Sequence, residues 1–293
     1  MSPSSPKPAR ETVVLLHSSA SSARQWDALA ALLSDRYEVH AVDLHGHGRR
    51  SAWRGPAPLT LADEAGLAAP LLAAAGSAHV IGHSYGGAVA LKLASLQPDR
   101  VRSVVVYEPT LFRILVEEGA WGLPARDIRF TADAIRAFVR AGRPAEAARH
   151  FVDFWSRRGQ YDRMSASRQR GIDERMATVL AHFDALFAEP LTSATLRRLT
   201  MPRLFLTGAD TVATTRHLGE LLRLGVPGAE HETLAGLGHM GPITDADIVN
   251  RRIAAFLDSG PSAGAAPAGS EEEFARASFS GRQRDPAMFD ALC

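Results

Sequence analysis

Residues 79–87 read HVIGHSYGG, an apolar run, a glycine-flanked serine and the start of a small-residue segment. The apolar run 79–83 passes through Ser84 into an Ala/Leu-rich segment that reads as a helix to about residue 96. Inside it, Gly82-His83-Ser84-Tyr85-Gly86 has the form G-x-S-x-G. A chain of this size shows that pattern by chance with a probability on the order of 0.1. Its context therefore carries the argument. A serine on a tight strand-to-helix turn needs glycine two residues to either side, because a Cβ there would clash. The hydroxyl then projects beyond the sheet edge. It lies beside the free N–H groups of the next helix, where developing negative charge is favoured.

On either side, short apolar runs recur at residues 12–17 (TVVLLH), 37–44, 101–107 (VRSVVVY) and 203–207 (RLFLT), and residues 231–234 (HETL) read as the sixth strand. Such runs suit strands buried on both faces of a parallel sheet. Helical patterns follow at about 23–33, 60–75, 214–224 and 245–257. The alternation implies an α/β fold: a doubly wound, mostly parallel sheet of about six strands. Residues 111–199 break the rhythm. They hold no convincing strand, only helical stretches carrying Trp121, Phe138, Phe151, Phe154, Trp155, Phe183 and Phe187. The expected organisation is a core of residues 11–110 and 200–258 with a helical insertion at 111–199. A disordered N-terminus at 1–10 and a flexible Gly/Ala/Pro/Ser-rich tail at 259–293 flank it.

GHSYGG, the LLH run of the first strand, DLHGHG at 43–48 and GHMGP at 238–242 together resemble the α/β-hydrolase superfamily, over roughly residues 12–257. A serine hydroxyl is a poor nucleophile at neutral pH and needs an adjacent base. The resemblance, with its chain order of Ser, acid, His, implies Ser84 as nucleophile and His239 as base. The acid has two candidates. The usual family position, after the strand that follows the insertion, holds Thr211, and Asp210 lies one residue early. A minority of the superfamily takes the acid from the end of the strand after the elbow helix, which here is Glu108. Either carboxylate can orient His239 and stabilise its imidazolium form; Glu108 needs no shift of register.

The resemblance also implies an oxyanion hole from the backbone N–H groups of Tyr85 and of Ser19, in the serine loop 18–22 where Ser18 replaces the usual glycine. It implies that His17 ties down that loop, that His83 packs away from the site, and that His45 and His47 belong to a structural turn. The insertion falls where the family places a cap, implying a mostly apolar pocket beneath it. Leu111, Phe112 and Met240, next to the candidate catalytic residues, are the expected substrate contacts.

The net charge is +1, from 33 basic and 32 acidic residues, and no basic stripe suits a phosphate backbone. Cys293 is the single cysteine, which excludes an internal disulfide and a multi-cysteine metal site. No run reaches the roughly 18 apolar residues that span a bilayer, and the Pro/Ser-rich start lacks the apolar centre of a secretory signal. These features set the expectations: a small-molecule substrate, no metal or cofactor, no nucleic acid or membrane partner, a cytoplasmic location, and room for a homodimer. The chemistry expected is a serine hydrolase cleaving an ester, thioester or lactone of a small, largely apolar substrate through an acyl-enzyme. The alternatives are a carbon–carbon bond hydrolase with the same triad, and a non-catalytic ligand-binding protein on the same fold.

Overall fold

Six strands form one sheet: β1 Glu11–Leu16, β2 Tyr37–Val42, β3 Ala78–His83, β4 Val101–Tyr107, β5 Arg203–Gly208 and β6 Glu230–Leu234. Their order is β2-β1-β3-β4-β5-β6, and every neighbouring pair is parallel. The computed structural model describes residues 10–117 and 122–260. The expected disordered N-terminus (except residue 10), Trp121, and the expected tail beyond residue 260 lie outside the described residues.

The helices, in chain order, are α1 Asp27–Leu33, α2 Leu61–Ala75, α3 Tyr85–Leu96, α4 Phe112–Glu117, α5 Leu123–Arg140, α6 Pro144–Trp155, α7 Ala166–Asp173, α8 Met176–Ala188, α9 Ser193–Arg197, α10 Ala213–Gly225, α11 Gly241–Thr244 and α12 Ala246–Asp258. Successive strand side chains point to opposite faces, and both faces here are apolar. Val14, Leu16, Val80, Val104 and Val106 enter one core, which α2, α3 and α10 cover with Leu61, Leu72, Leu91 and Leu218. Val13, Leu15, Ile81, Val105 and Leu204 enter the other, which α1 and α12 cover with Leu29, Leu33, Val249 and Ile253. This two-sided burial is why the inner strands β1, β3, β4 and β5 read as mainly apolar runs, whereas the edge strands β2 and β6 are part-exposed and carry polar residues.

The chain leaves β1 toward β2 on one side, then returns across β1 to β3 on the other. The loops after β1 and β3 therefore diverge. A crevice opens at the carboxyl ends of the strands, the place where open α/β sheets bind ligands. Both the serine loop and Ser84 sit there. Helices α4 to α9 lie between β4 and β5, and residues 112–199 contain no strand among the described residues. No helix among the described residues is long and apolar enough to cross a membrane.

Candidate active site

Ser84 forms the turn between β3 and α3 with φ 55° and ψ −117°. Its neighbours explain how such a turn is tolerated. A Cβ on Gly82 would sit 2.3 Å from the Gly86 carbonyl oxygen, and one on Gly86 would sit 2.3 Å from that of Leu16. The turn is pinned by the Ser84 N–H, which donates to Tyr107 O at 2.9 Å. Among the described residues, the non-glycine positions with positive φ are Ala20, Ser84 and Glu108. All three lie at this crevice. Each such position costs on the order of 1–3 kcal/mol, and persists only where the surroundings over-determine it.

His239 lies in the loop between β6 and α11. Its Nε2 is 2.9 Å from Ser84 Oγ, and its Nδ1 is 2.7 Å from Glu108 Oε2. Ser84, His239 and Glu108 are all buried. His239 is held at two further points. His83 Nε2–H donates to the His239 carbonyl at 2.8 Å, and Trp155 of α6 stacks on the imidazole, ring centroids 4.2 Å apart.

Glu108, at the end of β4, has both carboxylate oxygens engaged. Oε1 accepts from the Gly208 N–H at 2.8 Å, and Oε2 accepts from the Thr211 hydroxyl at 2.8 Å as well as from His239. Thr211, standing where the resemblance leads one to look for an acid, thus serves the carboxylate supplied by the neighbouring strand. Asp210 is exposed, and its backbone N–H donates to Leu237 O at 2.8 Å. The structure brings Glu108 to His239 and leaves Asp210 on the surface.

The loop after β1 is held at several points. Ser18 N–H and Oγ–H both donate to Gln25 Oε1, and Gln25 Nε2–H donates to His83 Nδ1. Ala20 N–H donates to His47 Nε2, whose Nδ1–H donates to His45 O. His17 Nδ1–H donates to Ser18 O, and its Nε2 accepts from the Leu44 N–H. Burial keeps these rings neutral. Burial lowers His17 to about 4 and His47 to about 3, with neighbouring histidines adding to the effect. Burial also carries His83 well below the usual range. Ser19 and Tyr85 both line the cavity over Ser84. Among the described residues, neither the Ser19 nor the Tyr85 N–H has a protein acceptor.

A cavity of about 310 Å³ opens over Ser84 and His239. Phe112 and Met240 line it, together with Phe151, Trp155 and Phe183 from the insertion. Leu111 does not; it is buried in the core beside the cavity. Phe112, the first residue of α4, lines the cavity instead. His182, on α8, lines the cavity beside Ser19 and Tyr85 and was not among the residues expected from sequence. A histidine in a helical stretch far along the chain carries no local signal of the loop it meets.

The sequence signature of the Alpha/beta hydrolase family matches residues 13–252. This chain belongs to the alpha/beta hydrolase family. A 111-residue stretch is 40% identical to the dihydrolipoyllysine-residue acetyltransferase component of the acetoin cleaving system of Cupriavidus necator, and covers 37% of this hydrolase and 29% of that protein. The putative carbamate hydrolase RutD of Caulobacter segnis is 27% identical over 266 residues, 86% of this chain and 93% of that one. A crystal structure of a hydrolase from Pseudomonas aeruginosa superposes with a TM-score of 0.68 at 26% identity, covering 85% of this chain and 90% of that one.

Proposed function

We propose that this enzyme is a serine hydrolase that cleaves an ester, thioester or lactone of a small, largely apolar substrate through an acyl-enzyme. The observation that carries this reading is the hydrogen-bonded line Ser84 Oγ, His239, Glu108, at 2.9 Å and 2.7 Å. In the first half-reaction, His239 Nε2 takes the Ser84 proton as Oγ attacks the substrate carbonyl carbon. Glu108 holds the ring in the tautomer that leaves Nε2 free and stabilises the imidazolium that forms. The N–H groups of Ser19 and Tyr85 receive the oxyanion, aided by the N-terminus of α3. His239 then protonates the leaving group. Water, activated by the same ring, releases the acid from Ser84.

The cavity volume, about 310 Å³, lies at the lower end of the range for small-molecule sites. Its aromatic lining favours an apolar acyl or alcohol portion. Helices α4 to α9 act as a cap over it, with Trp155 shielding His239 from bulk water. A relative named as a carbamate hydrolase is consistent with attack on an acyl carbon.

The test is turnover across panels of esters, thioesters and lactones, with Ser84→Ala as the control. The expected result is hydrolysis of at least one class, which Ser84→Ala lowers by about 10⁴-fold or more without loss of fold. A Ser84→Ala enzyme that keeps more than about a tenth of the wild-type rate would show that another group does the chemistry.

A further inference from the structure

His182 is fully buried, comes from α8 of the cap, and meets both halves of the proposed oxyanion hole. Its Nδ1 is 2.8 Å from Ser19 Oγ. Its ring stacks on Tyr85 with centroids 3.7 Å apart and planes within 6°. On the other side it stacks on His47, centroids 5.0 Å apart, and His47 Nε2 in turn holds the Ala20 N–H. His182 Nε2 makes no hydrogen bond; the nearest carboxylate oxygen is Glu64 Oε1 at 3.6 Å. Glu64 is fully buried too. It accepts from the His45 N–H at 3.1 Å and from the Tyr85 hydroxyl at 3.5 Å.

The proton positions follow from these partners. With Nε2–H facing Glu64, Nδ1 is left as the acceptor of the Ser19 hydroxyl proton. Ser19 is then anchored through its side chain, and its backbone N–H stays free to face the cavity. One turn earlier on α8, Thr178 packs against Gly46, where a Cβ would lie 2.6 Å from Thr178 Oγ1. The same helix face therefore seats on both core loops, and Gly46 permits the approach.

We infer that His182 is a positioning residue through which the cap sets the oxyanion hole: it fixes Ser19 by a hydrogen bond and Tyr85 by stacking. The inference rests on the proposed acyl-transfer reading. It ties the competence of the hole to the docking of α8, so a cap lifted from the core leaves Ser19 without its anchor. A group that only shapes the pocket would act on substrate affinity. A group that sets the oxyanion donors acts on the transition state.

The experiment is a double-mutant cycle of Ser19→Ala and His182→Ala, read by kcat, by KM and by the affinity of an alkyl trifluoromethyl ketone. That ketone adds Ser84 Oγ at its carbonyl carbon, passes the serine proton to His239, and leaves its oxyanion in the hole. Ser19→Ala removes only a hydroxyl and leaves α8 packing intact, so it carries the test if His182→Ala folds poorly. The expected result for Ser19→Ala is a roughly tenfold fall in kcat, KM within about threefold, and a parallel loss of ketone affinity. His182→Ala should cost about 10- to 100-fold in kcat, and adding Ser19→Ala to it should cost less than about twofold more. An unimpaired Ser19→Ala overturns the inference, as do fully additive penalties or a rise in KM at unchanged kcat. Ser84→Ala separates the two levels. If it retains turnover, the acyl-transfer reading fails; if it is inactive while Ser19→Ala is unimpaired, only the positioning role falls.

Discussion

Ser84, His239 and Glu108 form one Ser–His–Glu array at the cavity, and Ser19, His182 and Glu64 form another. The residue types are the same and the geometry is not. His239 meets its serine through Nε2 at 2.9 Å and its carboxylate at 2.7 Å. His182 meets its serine through Nδ1 at 2.8 Å, and its carboxylate stands off at 3.6 Å. Ser84 sits on a strained elbow at the N-terminus of α3, whereas Ser19 lies in a loop held by Gln25, His47 and His182. Glu108 is aimed by the Gly208 N–H and the Thr211 hydroxyl at adjoining strand ends. A serine, a histidine and a carboxylate brought together are therefore only ingredients. A helix N-terminus at the cavity, a strained turn and a carboxylate in contact with the ring turn one set toward chemistry. The other set braces the donors that serve it.

The widest break between the arrays concerns their acids. Glu108→Gln should lower kcat by roughly 10³-fold, since an amide can neither fix the His239 tautomer nor balance its charge. Steady-state kinetics checks this, and a loss below about tenfold would mean that Glu108 is a structural partner of Thr211 and Gly208.

A second contrast separates the histidines by protonation. In the proposed mechanism His239 accepts a proton in every turnover, while His17 and His47 refuse one because burial holds them at about 4 and about 3. Unfolded histidine titrates near 6.5. Below that pH the unfolded chain takes up protons that the native loops exclude, so stability falls as pH falls from about 6.5 toward 4. Each ring contributes about 1.4 kcal/mol per pH unit in that window. Urea midpoints measured at pH 7.5 and pH 5 should drop accordingly, and unchanged midpoints would contradict neutral, buried supports.

The smallest effect belongs to the carboxylate left outside both arrays. Asp210→Asn should change kcat/KM by less than about twofold, because the side chain is exposed and does not reach His239. A loss comparable to that of Glu108→Gln would reverse the assignment of the acid.

The sequence made the sheet and the elbow legible because both depend on local pattern. Aliphatic runs buried on two faces, and glycines at 82 and 86 that let backbone approach backbone, leave their marks within a few residues. His239 was legible from its glycine-rich loop and chain order. The acid stayed open between Glu108 and Asp210, because choosing between them needs the pairing of β4 with β5. That pairing brings Gly208 and Thr211 to the Glu108 carboxylate. The cavity lining was the least legible part. Helical periodicity does not tell which face of α6 or α8 turns to the core, so Trp155 and His182 gave no warning of the rings they stack on. Of the three contacts expected from sequence, Phe112 and Met240 line the cavity and Leu111 does not.

Ser84 and Ser19 line the same cavity, so a covalent serine probe distinguishes the nucleophile from the brace. A fluorophosphonate would be incubated with the full chain, and the modified peptide identified by mass spectrometry. Attack by Ser84 Oγ on phosphorus expels fluoride, passes the serine proton to His239, and leaves a stable phosphonyl-serine. The account predicts one adduct per chain, on the peptide containing Ser84, with Ser19 unmodified and Glu108→Gln labelled far more slowly. An adduct on Ser19, or none on Ser84, would contradict it.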